Sequence, residues 1–138
     1  MLETPMRSLI VKLLKPLHAF AVENGGCYPG TPDIYVIECW IECKATEEWP
    51  AREKTIVKLR HHFTQGQRNF ARLHAHRGGK SFVLLSIARE WLLFDGVVAA
   101  DHLEVTATRS MLYDYAVASW KKTPTTTSGR SPLTIPRS

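Results

Sequence analysis

The stretch Gly30-Thr31-Pro32-Asp33-Ile34-Tyr35-Val36-Ile37-Glu38-Cys39-Trp40-Ile41-Glu42-Cys43-Lys44 decides how this chain is read. An acid follows a Gly-x-Pro turn, and a second acid and a lysine stand two residues apart inside a later apolar run. Side chains alternate between the two faces of a strand, so Glu42 and Lys44 project to one side and Cys43 to the other. A half-buried strand rarely carries an acid and a base on one face without a task, because desolvating either charge is costly. If Ile34–Ile37 and Trp40–Ala45 pair as a tight hairpin around Glu38-Cys39, Asp33 sits beside Glu42 and forms a small anionic pocket with an ammonium at its edge. Two carboxylates and an amine suit a hard divalent cation and a directed water molecule.

Working outward, Thr4 is placed to cap a first helix with Pro5 at its first position, where proline loses no helical hydrogen bond. Leu9, Ile10, Leu13 and Leu14 recur at helical spacing, and Pro16 should end the helix near Lys15. His18–Glu23 alternates and reads as a first strand, followed by the turn-rich loop Asn24-Gly25-Gly26-Cys27-Tyr28-Pro29-Gly30. Downstream, Glu47–Lys54 reads as loop and Thr55–Leu59 as a short edge strand. Thr64 caps a second helix running to about Arg77, with Gly78-Gly79 as its stop. On that helix Gln67, Phe70, Ala71 and His74 share one face, and Arg68, Arg72 and His76 share another. Ser81–Ile87 is a strongly apolar central strand, Trp91–Phe94 a further strand closed by an Asp95-Gly96 turn, and Thr108–Trp120 a last helix. The pattern predicts one α/β domain over residues 1–120 and a disordered, basic, Thr/Ser/Pro-rich tail over residues 121–138.

Composition is that of an ordinary globular protein, 44% apolar and 22% charged over 138 residues. No apolar run approaches the roughly 20 residues needed to span a bilayer, and Met6–Leu17, interrupted by Arg7, Lys12, Lys15 and Pro16, reads as a helix rather than a signal peptide. Three cysteines, Cys27, Cys39 and Cys43, form no CxxC pattern and are expected as reduced thiols of an intracellular protein. The net charge of +5 is unevenly spread: residues 52–80 hold eight basic side chains and one acid, whereas residues 1–51 hold four and seven. A positive segment beside an acidic pocket suits a polyanion approaching a cation-filled site.

Gly30-x-Pro32-Asp33, Glu42-x-Lys44, and Thr64-x-x-Gln67 before a helix ending in Gly-Gly and an apolar strand together resemble the PD-(D/E)xK nuclease superfamily. Within it, the chain is similar to the small stand-alone virus-type replication-repair nucleases and Holliday-junction-resolvase-like proteins, over roughly residues 3–95. The resemblance implies a restriction-endonuclease-like α/β core: helix, three-stranded antiparallel meander, helix, and further strands in a mixed central sheet. It also implies that Asp33 and Glu42, with the main-chain carbonyl of Cys43, ligate Mg2+ or Mn2+. Lys44 would orient or deprotonate the attacking water, and Gln67 would assist near the metal. Many members add a glutamate from the first helix; Glu3, at the extreme N-terminus, is the only acid near that helix and is left out of the core set. Arg60, Arg68, Arg72 and Lys80 are expected along the nucleic-acid backbone.

These readings give a metal-dependent endonuclease hydrolysing DNA phosphodiesters, selective for branched DNA such as Holliday junctions and acting as a homodimer. Compact nucleases of this type are common in phage and mobile elements, which implies a cytoplasmic enzyme in a bacterial host. Each residue also has a plainer role open to it. Asp33 suits a turn, Glu42 and Lys44 suit an exposed edge strand, Gln67 suits a helix start, and His61 and His62 suit a solvated loop. Trp40, Trp49 and Trp91 read as core or interface. Alternatives for the whole chain are a restriction-like or nicking nuclease on linear or single-stranded nucleic acid, an RNA-processing nuclease, and a non-catalytic DNA-binding module.

Overall fold

Seven consecutive residues, Ser81–Ile87, are all buried and form the strand on which the rest of the molecule is assembled. A strand covered on both faces has no solvated side, which is why this segment reads as a strongly apolar run in which even the two serines, Ser81 and Ser86, are buried. A computed structural model describes residues 3–17, 19–22, 30–36 and 39–121. In chain order its elements are α1 (Glu3–Leu13), a 3-10 turn (Lys15–Leu17), β1 (Phe20–Ala21), β2 (Ile34–Val36), β3 (Cys39–Thr46), α2 (Gln65–His76), β4 (Ser81–Ile87), β5 (Glu90–Asp95), α3 (Gly96–His102), α4 (Arg109–Tyr115) and β6 (Ala118–Lys121). The fold is mixed α/β, with a six-stranded sheet in the order β1-β2-β3-β4-β5-β6.

Strands β1, β2 and β3 form the expected antiparallel meander. β3 and β4 run parallel, in register from Trp40 opposite Ser81 to Thr46 opposite Ile87, so the chain must cross back over the sheet between them. That crossover contains α2. β5 and β6 then add antiparallel strands. On one face of the sheet, Met6 and Ile10 of α1 pack on Ile34, Ile41, Cys43, Leu84 and Leu93. On the other, Ala99 and Leu103 with Leu112 of α4 pack on Val83, Leu85, Ile87, Leu92 and Phe94. Glu42 and Lys44 alternate with Ile41 and Cys43 and stand in register with Val83 and Leu85, so they belong to this second face.

The start of α2 follows its sequence signature closely. Thr64 caps the helix by accepting from the Gln67 N–H, and the Gln67 side chain reaches back to the Thr64 N–H, a complete capping box. Beyond its end, Gly78 takes φ +84°, the left-handed conformation that halts a helix at little cost to glycine.

Several expectations are corrected. Thr55–Leu59 is not a strand; it belongs to an irregular strap, residues 55–63, that inserts Val57, Leu59 and Phe63 into the second-face core. Asp95-Gly96 is not a hairpin turn. The Asp95 carboxylate accepts from the Val97 and Val98 N–H groups and caps α3. Thr108–Trp120 is not one helix: α4 ends at Tyr115, the Val117 N–H bonds to the Leu93 carbonyl at 2.8 Å, and Trp120 pairs opposite Trp91. The gain from completing a sheet edge outweighs the weak helix preference of Val117-Ala118-Ser119. At the N-terminus α1 already includes Glu3, so Thr4 and Pro5 lie inside its first turn, and it ends at Leu13 ahead of the 3-10 turn containing Pro16. β1 is confined to Phe20–Ala21. His18, Glu23, the loop with Cys27, the hairpin residues Ile37 and Glu38, and the tail from Lys122 onward lie outside the described residues. Among those described, no helix is long and apolar enough to cross a membrane.

Candidate active site

The site is set by the pairing of β2 with β3. Ile34 stands opposite Ile41, so the register extended by one residue brings Asp33 opposite Glu42. Asp33 lies close enough for its charge to act on the Glu42 carboxyl. Asp33 Oδ2 accepts from the Cys43 N–H at 2.9 Å, which fixes the carboxylate where β2 gives out. Its Oδ1 faces Arg7 NH2 at 3.6 Å, an ion pair too long for a good hydrogen bond.

Glu42 is 5% exposed, and its Oε1 is buried without a hydrogen-bond partner. Burial, and after it the Asp33 carboxylate, push the Glu42 carboxyl well above the usual carboxylate range, against the opposing pull of Lys44. A buried acceptor left unpaired costs about 1–3 kcal/mol, so this oxygen is a polar atom with capacity for a further partner. Lys44 is 3% exposed, and its Nζ donates to the His62 carbonyl at 3.1 Å. Its ammonium is therefore held by the strap rather than by a carboxylate.

The expected role of the Cys43 carbonyl has a main-chain rationale. The N–H and C=O of one strand residue point the same way, and the Cys43 N–H points toward β2. The next position of the extended register is Pro32, which has no N–H to donate to that carbonyl. The Cys43 thiol, by contrast, is buried against α1, and burial together with the charge of Asp33 pushes it well up, so it is no thiolate ligand.

These groups open onto a cleft of about 350 Å3 whose lining brings in residues from three further elements. α1 contributes Glu3 and Arg7, the strap contributes His61 and His62, and the start of α2 contributes Thr64 and Gln67. Glu3 was set aside from the sequence and is in fact part of the cleft. Its carboxylate is 14% exposed, pairs with His61 Nδ1, and acts electrostatically on both Glu42 and Cys43. The usable signal was the spacing of Glu3 and Arg7, four residues apart on one helix face. Gln67 lines the cleft, with one lone pair of its side-chain oxygen committed to the α2 cap at 2.9 Å, leaving its NH2 and the second lone pair to meet a ligand.

The expected nucleic-acid contacts divide differently. Arg68 is buried; its guanidinium donates to the Ala100 and Leu103 carbonyls at 2.6 and 2.7 Å and lies over the Phe63 ring. Arg72 bonds the Ala100 carbonyl and Asp101. Both arginines tie α2 to α3; Arg68 is buried in doing so, whereas the Arg72 side chain stays 42% exposed. Lys80 is exposed, but it precedes Ser81 opposite Trp40, five residues or about 17 Å of strand away from Lys44 at some 3.3 Å per residue. Arg60 does not line the cleft; it is exposed, paired with Glu47 at 3.0 Å, and faces a separate hollow with Thr46 and Glu48.

Gly30 holds the approach to Asp33 against α2. Its φ is +83°, and a Cβ there would lie 2.2 Å from the Gly66 carbonyl oxygen. Gly30→Ala should therefore cost about 2 kcal/mol in left-handed strain and overpacking, read as a lower midpoint in urea at an unchanged slope.

Among the described residues no group of three or more His, Cys, Asp or Glu side chains is disposed to hold a metal. The candidate donors are instead two carboxylates and one main-chain carbonyl, a set that suits Mg2+, which keeps several waters and needs only one or two carboxylates. No protein-family model, curated protein or solved structure matches this chain, so the assignment of the site rests on its own geometry.

Proposed function

We propose that this chain is a metal-dependent nuclease of restriction-endonuclease-like architecture that hydrolyses DNA phosphodiesters. The observation that carries the reading is the unpartnered, buried Glu42 Oε1 beside Asp33, with Lys44 on the same strand face. Two adjacent carboxylates out of water repel each other, and a protein keeps such a pair where a proton or a cation is to share them. Asp33, Glu42 and the Cys43 carbonyl would hold Mg2+ or Mn2+, with Glu3 lining the same cleft. When bound, the ion supplies charge neutralisation at the phosphate and lowers the pKa of a coordinated water.

The rest of the work falls to the chain. Asp33, pinned by the Cys43 N–H, is preorganised and needs no reorientation. Lys44, fixed by one bond to the His62 carbonyl, has further ammonium protons with which to orient the attacking water and stabilise charge on the phosphate. A purely DNA-binding module has no use for three carboxylates in a cleft that must receive phosphate. That argues against the non-catalytic alternative.

The test is cleavage of a labelled four-way junction, linear duplex, single-stranded DNA and RNA in Mg2+, Mn2+ and EDTA. The expected outcome is cutting of the junction in either metal and none after chelation. Equal cutting of linear DNA would keep the chemistry and replace branch selectivity with a restriction-like or nicking role. Metal-insensitive binding without cleavage of any substrate would discard the nuclease.

A further inference from the structure

Glu104 lies in the turn after α3, sixty positions downstream of Lys44, and has no part in the residues that suggested a nuclease. Its φ is +64°, a left-handed conformation that glycine or asparagine would adopt more cheaply. A glutamate kept at such a position points to a role for its carboxylate. That carboxylate is 9% exposed. Its Oε1 accepts from the Phe63 N–H at 2.8 Å, and its Oε2 accepts from the Leu59 N–H at 3.0 Å and contacts His62 Nδ1 at 2.8 Å.

All three donors belong to the strap, which crosses the second face of the sheet without a ladder of its own. The strap is further secured by the Val57 N–H on the Ala107 carbonyl and the Arg60 N–H on the Ala45 carbonyl, both at 3.0 Å. Between the Leu59 and Phe63 bonds lies His62, whose carbonyl receives the Lys44 ammonium. Burial works against an ionised Glu104, yet the bonds from Leu59, Phe63 and His62 hold its pKa below the usual carboxylate value, so it remains an anionic acceptor at neutral pH. The neighbouring cation of α2, Arg68, interacts with it electrostatically and binds the Leu103 carbonyl one residue earlier.

We propose that Glu104 is a positioning residue: by clamping the strap at Leu59, His62 and Phe63, it places the His62 carbonyl that aims the Lys44 amine into the cleft. The assignment of a task to Lys44 rests on the nuclease reading, whereas the mechanical coupling of Glu104 to Lys44 does not. Neutralising Glu104 releases the strap, frees the His62 carbonyl to move, and lets Lys44 wander by about the ångström that costs a catalytic group as much as a hundredfold.

The experiment is 15N NMR of the lysine ammonium groups in the metal-free, full-length protein, with the Lys44 signal identified by its disappearance in Lys44→Ala. In the parent, Lys44, shielded and bonded, gives an Nζ signal that exchanges slowly with water. Glu104→Gln, folded by circular dichroism, should broaden or shift that signal and lower kcat by about ten- to a hundredfold with KM little changed. An unchanged Lys44 signal in folded Glu104→Gln overturns the coupling, whatever happens to activity. A perturbed signal in a protein whose parent cleaves nothing upholds the coupling while sinking the nuclease. Should Glu104→Gln not fold, native-state hydrogen exchange of the parent decides: Leu59, Phe63 and the Lys44 ammonium should lose protection in one shared opening below the global transition. Separate openings overturn the proposal.

Discussion

Glu42→Gln should lower metal-dependent cleavage by about 10³-fold or more and, in metal-free buffer, make the protein more stable rather than less. The loss follows from the several kcal/mol a bound metal contributes at a phosphate, each 1.36 kcal/mol being tenfold in rate. The gain follows from the buried carboxyl itself. Its pKa is raised by burial and by Asp33, whereas in the unfolded chain a glutamate titrates near about 4.3. Above that value the native state therefore binds more protons than the unfolded state at this position, so stability falls as pH rises through the raised native pKa. Glutamine has the same shape and no charge to lose, so Glu42→Gln removes that part of the pH slope.

The two effects can be separated in a single set of thermal scans. Between pH 5 and pH 8 without metal, the parent should lose midpoint relative to Glu42→Gln. Adding Mg2+ at ten times its dissociation constant should return about 1.4 kcal/mol to the parent and little to the variant. Lys44→Ala makes the complementary control, losing cleavage by a comparable factor while keeping the carboxylate pair. A parent and a Glu42→Gln protein with parallel pH profiles would show that Glu42 is not a strained acid awaiting a cation. Glu104 carries the opposite sign, because its native pKa is lowered. Its stabilisation is present above the unfolded pKa and disappears as pH falls through the native one, so acid loosens the strap while it relieves Glu42.

How far the sequence could be read depended on the range of the interactions involved. Asp33, Glu42 and Lys44 were legible because strand alternation and one tight hairpin are local, and the register of β2 on β3 then places them together. The α2 cap was legible for the same reason, since Thr64 and Gln67 satisfy each other within one turn. Ser81–Ile87 was legible because a strand buried on both faces is predominantly apolar, and only Ser81 and Ser86 interrupt it. The strap was not, because Val57 and Leu59 alternate just as a strand does; what decides against a strand is its route over the second-face core and its bonds to Glu104, Ala107 and Ala45. Glu3 and Glu104 enter only through contacts across tens of residues, with His61 and the strap respectively. The burial of Arg68 was not legible, because a charged helix face looks alike in sequence whether it meets water or the carbonyls ending another helix.

That last ambiguity yields a sharp expectation: Arg68→Ala should cost about 3 kcal/mol of folding stability, lowering Tm by about 10 °C. The side chain is 9% exposed, so its removal does more than discharge a surface. It strips a donor from each of the Ala100 and Leu103 carbonyls at the end of α3; Ala100 keeps its bond from Arg72, but the Leu103 carbonyl is left unpaired, at a cost of about 1–3 kcal/mol. It also removes the guanidinium from the Phe63 ring, and with it part of the packing that seats the strap. Arg68→Lys should recover only a fraction, because a single ammonium cannot span two carbonyls with the geometry of a planar fork. If Arg68 instead followed a nucleic-acid backbone, Arg68→Ala would leave Tm within about 1 °C of the parent and reduce the salt dependence of DNA binding by about one ion. The two readings thus predict changes in different observables. Because Phe63 and Leu103 flank the Glu104 clamp in sequence and in space, the structural reading adds one more consequence. A folded fraction of Arg68→Ala, at low temperature, should show looser protection at the Leu59 and Phe63 amides, carrying the damage from the far side of α2 toward the cleft.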